Sequence, residues 1–434
     1  MKIKILLFLP LLTLLLWGCG DSDSDTADLS ISRTSFNDIT PESTAVEFTI
    51  TCNSTWNISS DQSWCVPSVS TGTNNTDLSL VISANTTSES RSANVSIVSR
   101  KTIKKFLVTQ LPNSALNIEP YDLPVIFHVL YQNPADRNQY IDKGRLAEII
   151  NVCNLTYKNK IYQNTSSNIS QDMNLKFVMA EKTPEGVVLE EPGVERIQWN
   201  ALPMSCEDFM DGDGQKSKEY AKMLWDPKSY INIFVYLFDN DNILGIAHLP
   251  YALSTYPLEG LNKGDYYLKN AVEYAHCVSI NSRYIYVNND DDTYYTTDVN
   301  NTLAHELGHY LGLHHAFSEI GDNTDLCEDT DYCLDTPTYN MTEYINWLNT
   351  IDDFDDYTFK QLCTRKNCSG TEFVSRNIMD YAFCYSDQFT RDQFKRIRHV
   401  LSYSPLIPGT KRYTDASTRA LEDCNERPPV QVKY

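Results

Sequence analysis

The sequence predicts a multidomain protein in which an all-β sandwich precedes an α/β unit. Its 434 residues exceed the roughly 250–300 at which single cores stop growing, so at least two domains are expected. Between residues 29 and 112 the short alternating runs Ala45–Ile50, Leu78–Ile82 and Ala93–Val98 are separated by Ser/Thr/Asn/Gly clusters, the pattern of half-buried strands in a sandwich. From about residue 122 strands alternate with helices. Leu123–Tyr131, Met173–Ala180, Tyr230–Phe238 and Leu244–Pro250 read as strands, and Arg145–Tyr157 sets Leu146, Ile149, Ile150 and Cys153 at helical spacing. The expected divisions are 1–18 (signal), 19–28 (tether), 29–112 (sandwich), 113–121 (linker), 122–406 (α/β domain) and 407–434, a tail with no assignable role.

Apolar residues at 41% and aromatics at 11% suffice for packed cores and exclude wholesale disorder. A formal net charge of −21 repels phosphate backbones, which excludes nucleic acid as a partner. Lys2 and Lys4 precede an apolar run, Ile5–Trp17, too short for the ~20 residues of a membrane span and suited to a secretory signal. Leu16-Trp17-Gly18-Cys19 resembles a bacterial lipobox, although Trp17 stands where a small residue is usual. The expectation is an exported lipoprotein lipidated at Cys19, displayed on the outer membrane and touching it through the lipid alone; ordinary signal cleavage is the other reading. The acidic stretch Asp21–Asp25 would be a solvated tether. Twelve cysteines in an exported chain predict disulfides rather than thiols.

Metal chemistry concentrates between Thr302 and His315. His305 and His309 are four residues apart, so on a helix both imidazoles face one side and can share an ion. Glu306 stands one step round, near the ion but not on it, where it can polarise a water. A continuing helix would swing residue 315 about 280° away from that face. Gly312 tolerates the φ > 0 turn that brings His315 back as third ligand. His314, one residue early, competes for that role and is expected to point away. Three imidazoles leave a fourth tetrahedral position for water, the open arrangement of a catalytic zinc site, and zinc lowers the pKa of such a water towards about 7.

The pattern His-Glu-x-x-His-x-x-Gly-x-x-His from His305 to His315 resembles the metzincin signature. The resemblance implies a methionine turn, answered by Asn377-Ile378-Met379-Asp380-Tyr381. Met379 would then be an apolar floor beneath the imidazoles, and Tyr381 a fifth ligand or transition-state donor; a buried core tyrosine is the alternative. Asp331–Pro337, Trp225-Asp226-Pro227, Asn232–Val235 and Gly245–Pro250 are similar to segments of the pappalysin or cytophagalysin family, the last being its substrate-pairing edge strand. Trp56, Trp64 and the closing Val108-Thr109-Gln110 resemble the BACON domain, an immunoglobulin-like module. With the lipobox in front, the whole chain resembles the zinc-dependent metalloproteinase lipoproteins of Bacteroides-type bacteria. The family implies disulfides Cys327–Cys368 and Cys363–Cys384. Calcium, bound by some relatives, would fall to Asp322, Asp325, Glu328, Asp329 and Asp331, which also read as a plain solvated loop. The uncharged Ala382-Phe383 does not carry over the preference of some relatives for basic residues.

The resulting expectation is a secreted, lipid-anchored zinc metalloendopeptidase acting on protein or peptide, with Glu306 as general base and Tyr381 as oxyanion donor. The BACON-like unit would contact glycan or mucin, or serve as a spacer, with Trp56 and Trp64 read as core. The rivals are a non-proteolytic zinc hydrolase and a glycan-binding lipoprotein with an inactive zincin scaffold.

Overall fold

The computed structural model describes residues 26–433 except 34–35, 42–43, 86–88, 113–118, 162–169, 213–214, 265–273, 290–293, 320–326 and 413–428. It divides into two compact units, Met1–Leu116 and Asn117–Tyr434. Cys19 and the signal lie outside the described residues.

In the first unit the alternating runs become strands: β1 (Leu29–Ile31), β2 (Phe36–Ile39), β3 (Thr44–Cys52), β4 (Thr55–Ser60), β5 (Cys65–Pro67), β6 (Thr71–Thr73), β7 (Thr76–Ile82), β8 (Arg91–Ser99) and β9 (Thr102–Gln110). They form two sheets, ordered β1-β3-β7-β5 and β2-β9-β8-β4-β6. Along β3 the residues Val46, Phe48 and Ile50 are buried while Ala45, Glu47 and Thr51 face water, as the two-residue period of a strand requires. Trp56 is fully buried and its indole N–H donates to the Asn74 carbonyl at 3.1 Å, so it belongs to the core. Trp64 is half-buried beneath the Arg91 guanidinium, 4.3 Å from its ring. Gly72 lies against the Trp56 indole, where a Cβ would come within 2.3 Å of Cζ2.

The second unit holds β10 (Tyr121–Tyr131), α1 (Arg145–Tyr157), β11 (Leu175–Met179), β12 (Val194–Gln198), α2 (Cys206–Asp211), α3 (Gln215–Ala221), β13 (Ile231–Tyr236), β14 (Gly245–His248), β15 (Val278–Asn281), α4 (Val299–Tyr310), α5 (Met341–Leu348), α6 (Phe359–Leu362), β16 (Thr364–Lys366), β17 (Glu372–Val374), α7 (Arg391–Tyr403) and β18 (Val430–Lys433). The main sheet runs β11-β10-β13-β15-β14-β18, with β12 also on β10. Its strands from β11 to β15 are parallel, whereas β14 and β18 are antiparallel to their neighbours. β13 is buried on both faces, sending Ile231, Ile233 and Val235 into one core and Phe234 and Tyr236 into another, as expected of a parallel strand covered on both sides. The first core also receives Leu146, Ile149, Ile150 and Cys153 of α1 with Leu303 and Leu307 of α4. The Tyr157 hydroxyl donates to the Ala304 carbonyl at 3.0 Å, tying the two helices together.

Two expectations are corrected. Residues 407–434 are not merely a tail, because β18 pairs with β14 through Gly245↔Lys433, Ile246↔Val432, Ala247↔Gln431 and His248↔Val430. β14 is therefore not the open edge the sequence suggests; its outer hydrogen-bonding groups are taken. Disulfides are also not the rule: Cys327 and Cys368 are joined, but Cys52, Cys65, Cys153, Cys206, Cys277, Cys333, Cys363 and Cys384 are buried thiols. Each occupies an interior position, where cysteine packs as a small hydrophobe.

Replacing Gly72 by Ala should destabilise the first unit by about 1–3 kcal/mol through overpacking against Trp56. The check is a lowered urea midpoint followed by tryptophan fluorescence; an unchanged midpoint contradicts the tight contact.

Candidate metal centre

The centre is built on α4. Asp298 caps the helix, its carboxylate accepting from the Asn300 and Asn301 N–H groups at 2.7 and 3.0 Å, which satisfies amides that otherwise lack partners. His305 and His309 project from one side. The helix ends at Gly312, whose φ of +93° is left-handed and whose Cβ, if present, would lie 2.6 Å from Val400 Cγ2. A side chain there is opposed by both backbone and neighbour. The turn returns His315 to the other two, and the three ring nitrogens lie within 4.8 Å of one another.

The hydrogen bonds fix what those nitrogens can do. Nδ1 of His305 is 2.8 Å from the Ile378 carbonyl, and Nδ1 of His309 is 2.8 Å from the Leu313 carbonyl. A carbonyl only accepts, so both Nδ1 atoms carry hydrogen and, in neutral rings, both Nε2 atoms are bare lone pairs. Those Nε2 atoms are 3.0 Å apart, and Nε2 of His315 is 3.1 Å from that of His309. Protonation would relieve the repulsion but is opposed, since burial above all, with neighbouring positive charge, holds His305 and His309 well below the usual range and His315 down to about 3. A cation among the nitrogens resolves the conflict. Tetrahedral zinc with bonds of about 2.0–2.1 Å sets nitrogens roughly 3.3 Å apart, so the donor set fits that ion.

Surrounding groups hold the rings in place. His315 Nδ1 is hydrogen-bonded to the Glu319 carboxyl, which burial pushes up to about 7. Glu319 completes a carboxylate–imidazole pair of the kind that orients metal ligands. Met379 is fully buried, and a Cβ on Gly308 would lie 2.4 Å from its sulfur. Its amide donates to Asn377 Oδ1 at 2.9 Å and its carbonyl accepts from the Ala316 N–H at 2.9 Å. Tyr381 sets its ring edge-to-face with that of His315 at 4.5 Å and tilted to that of His305 at 5.6 Å, and its hydroxyl donates to the Val432 carbonyl.

Glu306 is fully buried, and neither carboxyl oxygen has a hydrogen-bond partner among the described residues. Burial pushes this group well above the carboxylate range, and the Lys433 charge pulls against that shift. β14 makes room for it: a Cβ on Gly245 would lie 2.7 Å from Glu306 Cγ. An orphaned interior carboxyl is costly to keep.

Thus His305, His309, His315, Glu306, Met379 and Tyr381 are brought together. His314 turns away, its ring 5.3 Å from that of Tyr332. Cys363 and Cys384, expected to pair, are instead separate thiols: Cys384 accepts from the Ser375 hydroxyl at 3.1 Å and donates to the Asn377 carbonyl at 3.2 Å. Among the described residues the histidine trio is the one group able to hold a metal. Asp331, expected as a calcium ligand, accepts from the Cys333 N–H at 2.8 Å and the Thr336 hydroxyl at 2.6 Å, while Asp322 and Asp325 lie outside the described residues. Two participants were missed. Glu319 lies four residues past His315, a helix-like spacing that could have flagged it. Lys433 carries no local signal: its amine is 3.4 Å from His305 Nδ1, 128 residues away.

His315→Ala should lose stoichiometric zinc while His314→Asn keeps it, as elemental analysis after dialysis would report. Burial holds His314 down to about 4, so the unfolded chain takes up a proton at higher pH than the folded one. With metal chelated, the stability of the parent relative to His314→Asn should therefore fall as pH drops from 6.5 to 4, by up to about 3 kcal/mol. Parallel urea midpoints across that window contradict it.

Residues 214–402 match the peptidase M43 family model, pregnancy-associated plasma protein-A, and residues 54–111 match the BACON model. The chain is 36% identical over 106 residues to an extracellular metalloprotease of Arthroderma otae, covering 24% of this chain and 32% of that protein. A second extracellular metalloprotease, from Arthroderma benhamiae, is 34% identical over 106 residues, with the same shares covered. The chain spans about a third of the length of these curated relatives. Among solved structures it is similar to Tannerella forsythia mature mirolysin in complex with a cleaved peptide, at 23% identity and a TM-score of 0.45 over 64% of this chain and 91% of that one. The histidine trio and the family match agree: the second unit is similar to the pappalysin family of metalloproteinases, and a BACON match precedes it.

Proposed function

We propose that the chain is a zinc metalloendopeptidase, and the observation that carries this reading is the unpartnered buried carboxyl of Glu306 beside three converging imidazole lone pairs. His305, His309 and His315 would hold the zinc, which when bound supplies a Lewis acid at an open coordination position. Glu306 takes the proton of the attacking water and delivers it to the leaving amine, a task suited to a carboxyl whose affinity for protons burial has raised. The Tyr381 hydroxyl donates to the oxygen that becomes negative as the carbonyl turns tetrahedral. The substrate lies extended along β14, joined to it by main-chain hydrogen bonds, as an added strand on a sheet edge. The pairing of β14 with an extended segment of this chain supports that geometry.

The lipobox-like Leu16–Cys19 supports export and lipid anchoring at Cys19, hence an outer-membrane, surface-displayed enzyme. The BACON domain in front would be a spacer or a glycan contact, and the burial of Trp56 favours the spacer.

The test is zinc content and cleavage of an unbiased peptide library by the chain from Asp21 and by its Glu306→Gln variant. Both should bind one zinc, and the variant should lose about 10²–10⁴-fold in cleavage rate. A fully active variant would remove Glu306 from the proton transfer, and a zinc-loaded parent that cleaves no peptide would overturn the reading.

A further inference from the structure

The groove along β14 already holds an extended segment of the same chain. Val430–Lys433 lies antiparallel to Gly245–His248, and the ladder continues at both ends: the Leu244 N–H donates to the Lys433 carbonyl at 2.8 Å and the Leu249 N–H to the Pro429 carbonyl at 3.0 Å. Val430 and Val432 pack half-buried against the apolar cluster on one face of the sheet. The Tyr381 hydroxyl donates to the Val432 carbonyl, so the group assigned to a substrate carbonyl is engaged by a carbonyl of the segment. Lys433 is only 5% exposed, with its amine 3.4 Å from His305 Nδ1 and 5.8 Å from the centre of the Tyr381 ring.

This burial needs a reason. Removing an ammonium group from water is among the more costly steps in folding unless an opposite charge or acceptor meets it. The strand ladder with β14 and the Tyr381 contact to the Val432 carbonyl hold it there, with its amine 3.4 Å from His305 Nδ1.

We propose that residues 429–433 are a built-in competitor that occupies the peptide groove and seats Lys433 beside His305, so that the enzyme is latent until the segment leaves β14. The proposal rests on the peptidase reading for what is inhibited, but the occupancy itself does not depend on it. A tethered segment competes at an effective concentration in the millimolar range, enough to exclude peptides that bind less tightly than the tethered strand. The strand is outermost in its sheet, so its departure leaves the strands inside it paired.

The experiment compares the zinc-loaded full chain with a chain ending at Arg412 and with a full-length Lys433→Glu variant, which puts a buried carboxylate where the lysine amine packs on His305 and Tyr381. The first readout is the affinity of a dipeptidyl hydroxamate, which needs both the groove and the metal but no turnover. It should rise at least tenfold in both variants. The second is hydrogen exchange at the Leu244 and Leu249 amides, which should lose protection in both. A synthetic Pro-Val-Gln-Val-Lys peptide should compete with the hydroxamate on the shortened chain. Equal hydroxamate affinity in all three proteins overturns the proposal, and so does retained protection in the Lys433→Glu variant. If the shortened chain fails to fold, the charge-reversed variant still decides. Tighter hydroxamate binding without peptide cleavage in either variant keeps the occupancy and rejects the peptidase reading; with cleavage, the rate should rise at least tenfold over the full chain.

Discussion

Much of the second unit serves to hold three imidazole lone pairs against one another. The two carbonyls that fix the tautomers come from distant places, Leu313 in the turn after α4 and Ile378 in the methionine turn. Neither would matter if the rings could protonate, but burial removes that escape. Without a cation, the arrangement is repulsive and must be maintained by the rest of the fold. With one, the same geometry becomes a strong source of stability, so metal binding and folding are linked here. The Ala316 amide on the Met379 carbonyl and the Asn377–Gln393 side-chain pair, at 2.9 Å, show how the methionine turn is tied both to the returning histidine segment and to α7.

Three glycines near the centre act for three different reasons. Gly312 supplies a backbone angle, Gly308 clears space for the Met379 sulfur, and Gly245 clears space for the Glu306 side chain. The first reason is local and can be inferred from spacing alone. The other two depend on a partner 71 or 61 residues distant, so nothing in the neighbouring sequence announces them. The Glu306 carboxyl and β14 are thus mutually fitted: a side chain on Gly245 would push Glu306 or β14 aside.

The same distinction explains what was legible in the sequence. His305, His309 and Glu306 follow from helical periodicity, and α1 coincides with the Arg145–Tyr157 expectation because its apolar residues face a single sheet. The strands of the first unit follow from their two-residue alternation. The cysteines misled because their number says how many disulfides are permitted and not which are required. A thiol such as Cys153, on the buried face of α1, has its place determined by packing. β18 was invisible because four residues of a polar stretch carry no period long enough to read, and their identity as a strand comes from β14.

An exposed β14 would present free amide and carbonyl groups, and an extended chain meets that deficit. The segment 430–433 does so with backbone for the strand and valines at alternate positions for the apolar face. A peptide substrate offers the same two things, so segment and substrate compete for one edge. The Tyr381 hydroxyl, engaged by the Val432 carbonyl, can turn to a substrate carbonyl only once the segment has left, which makes release of the strand and recovery of that donor a single event.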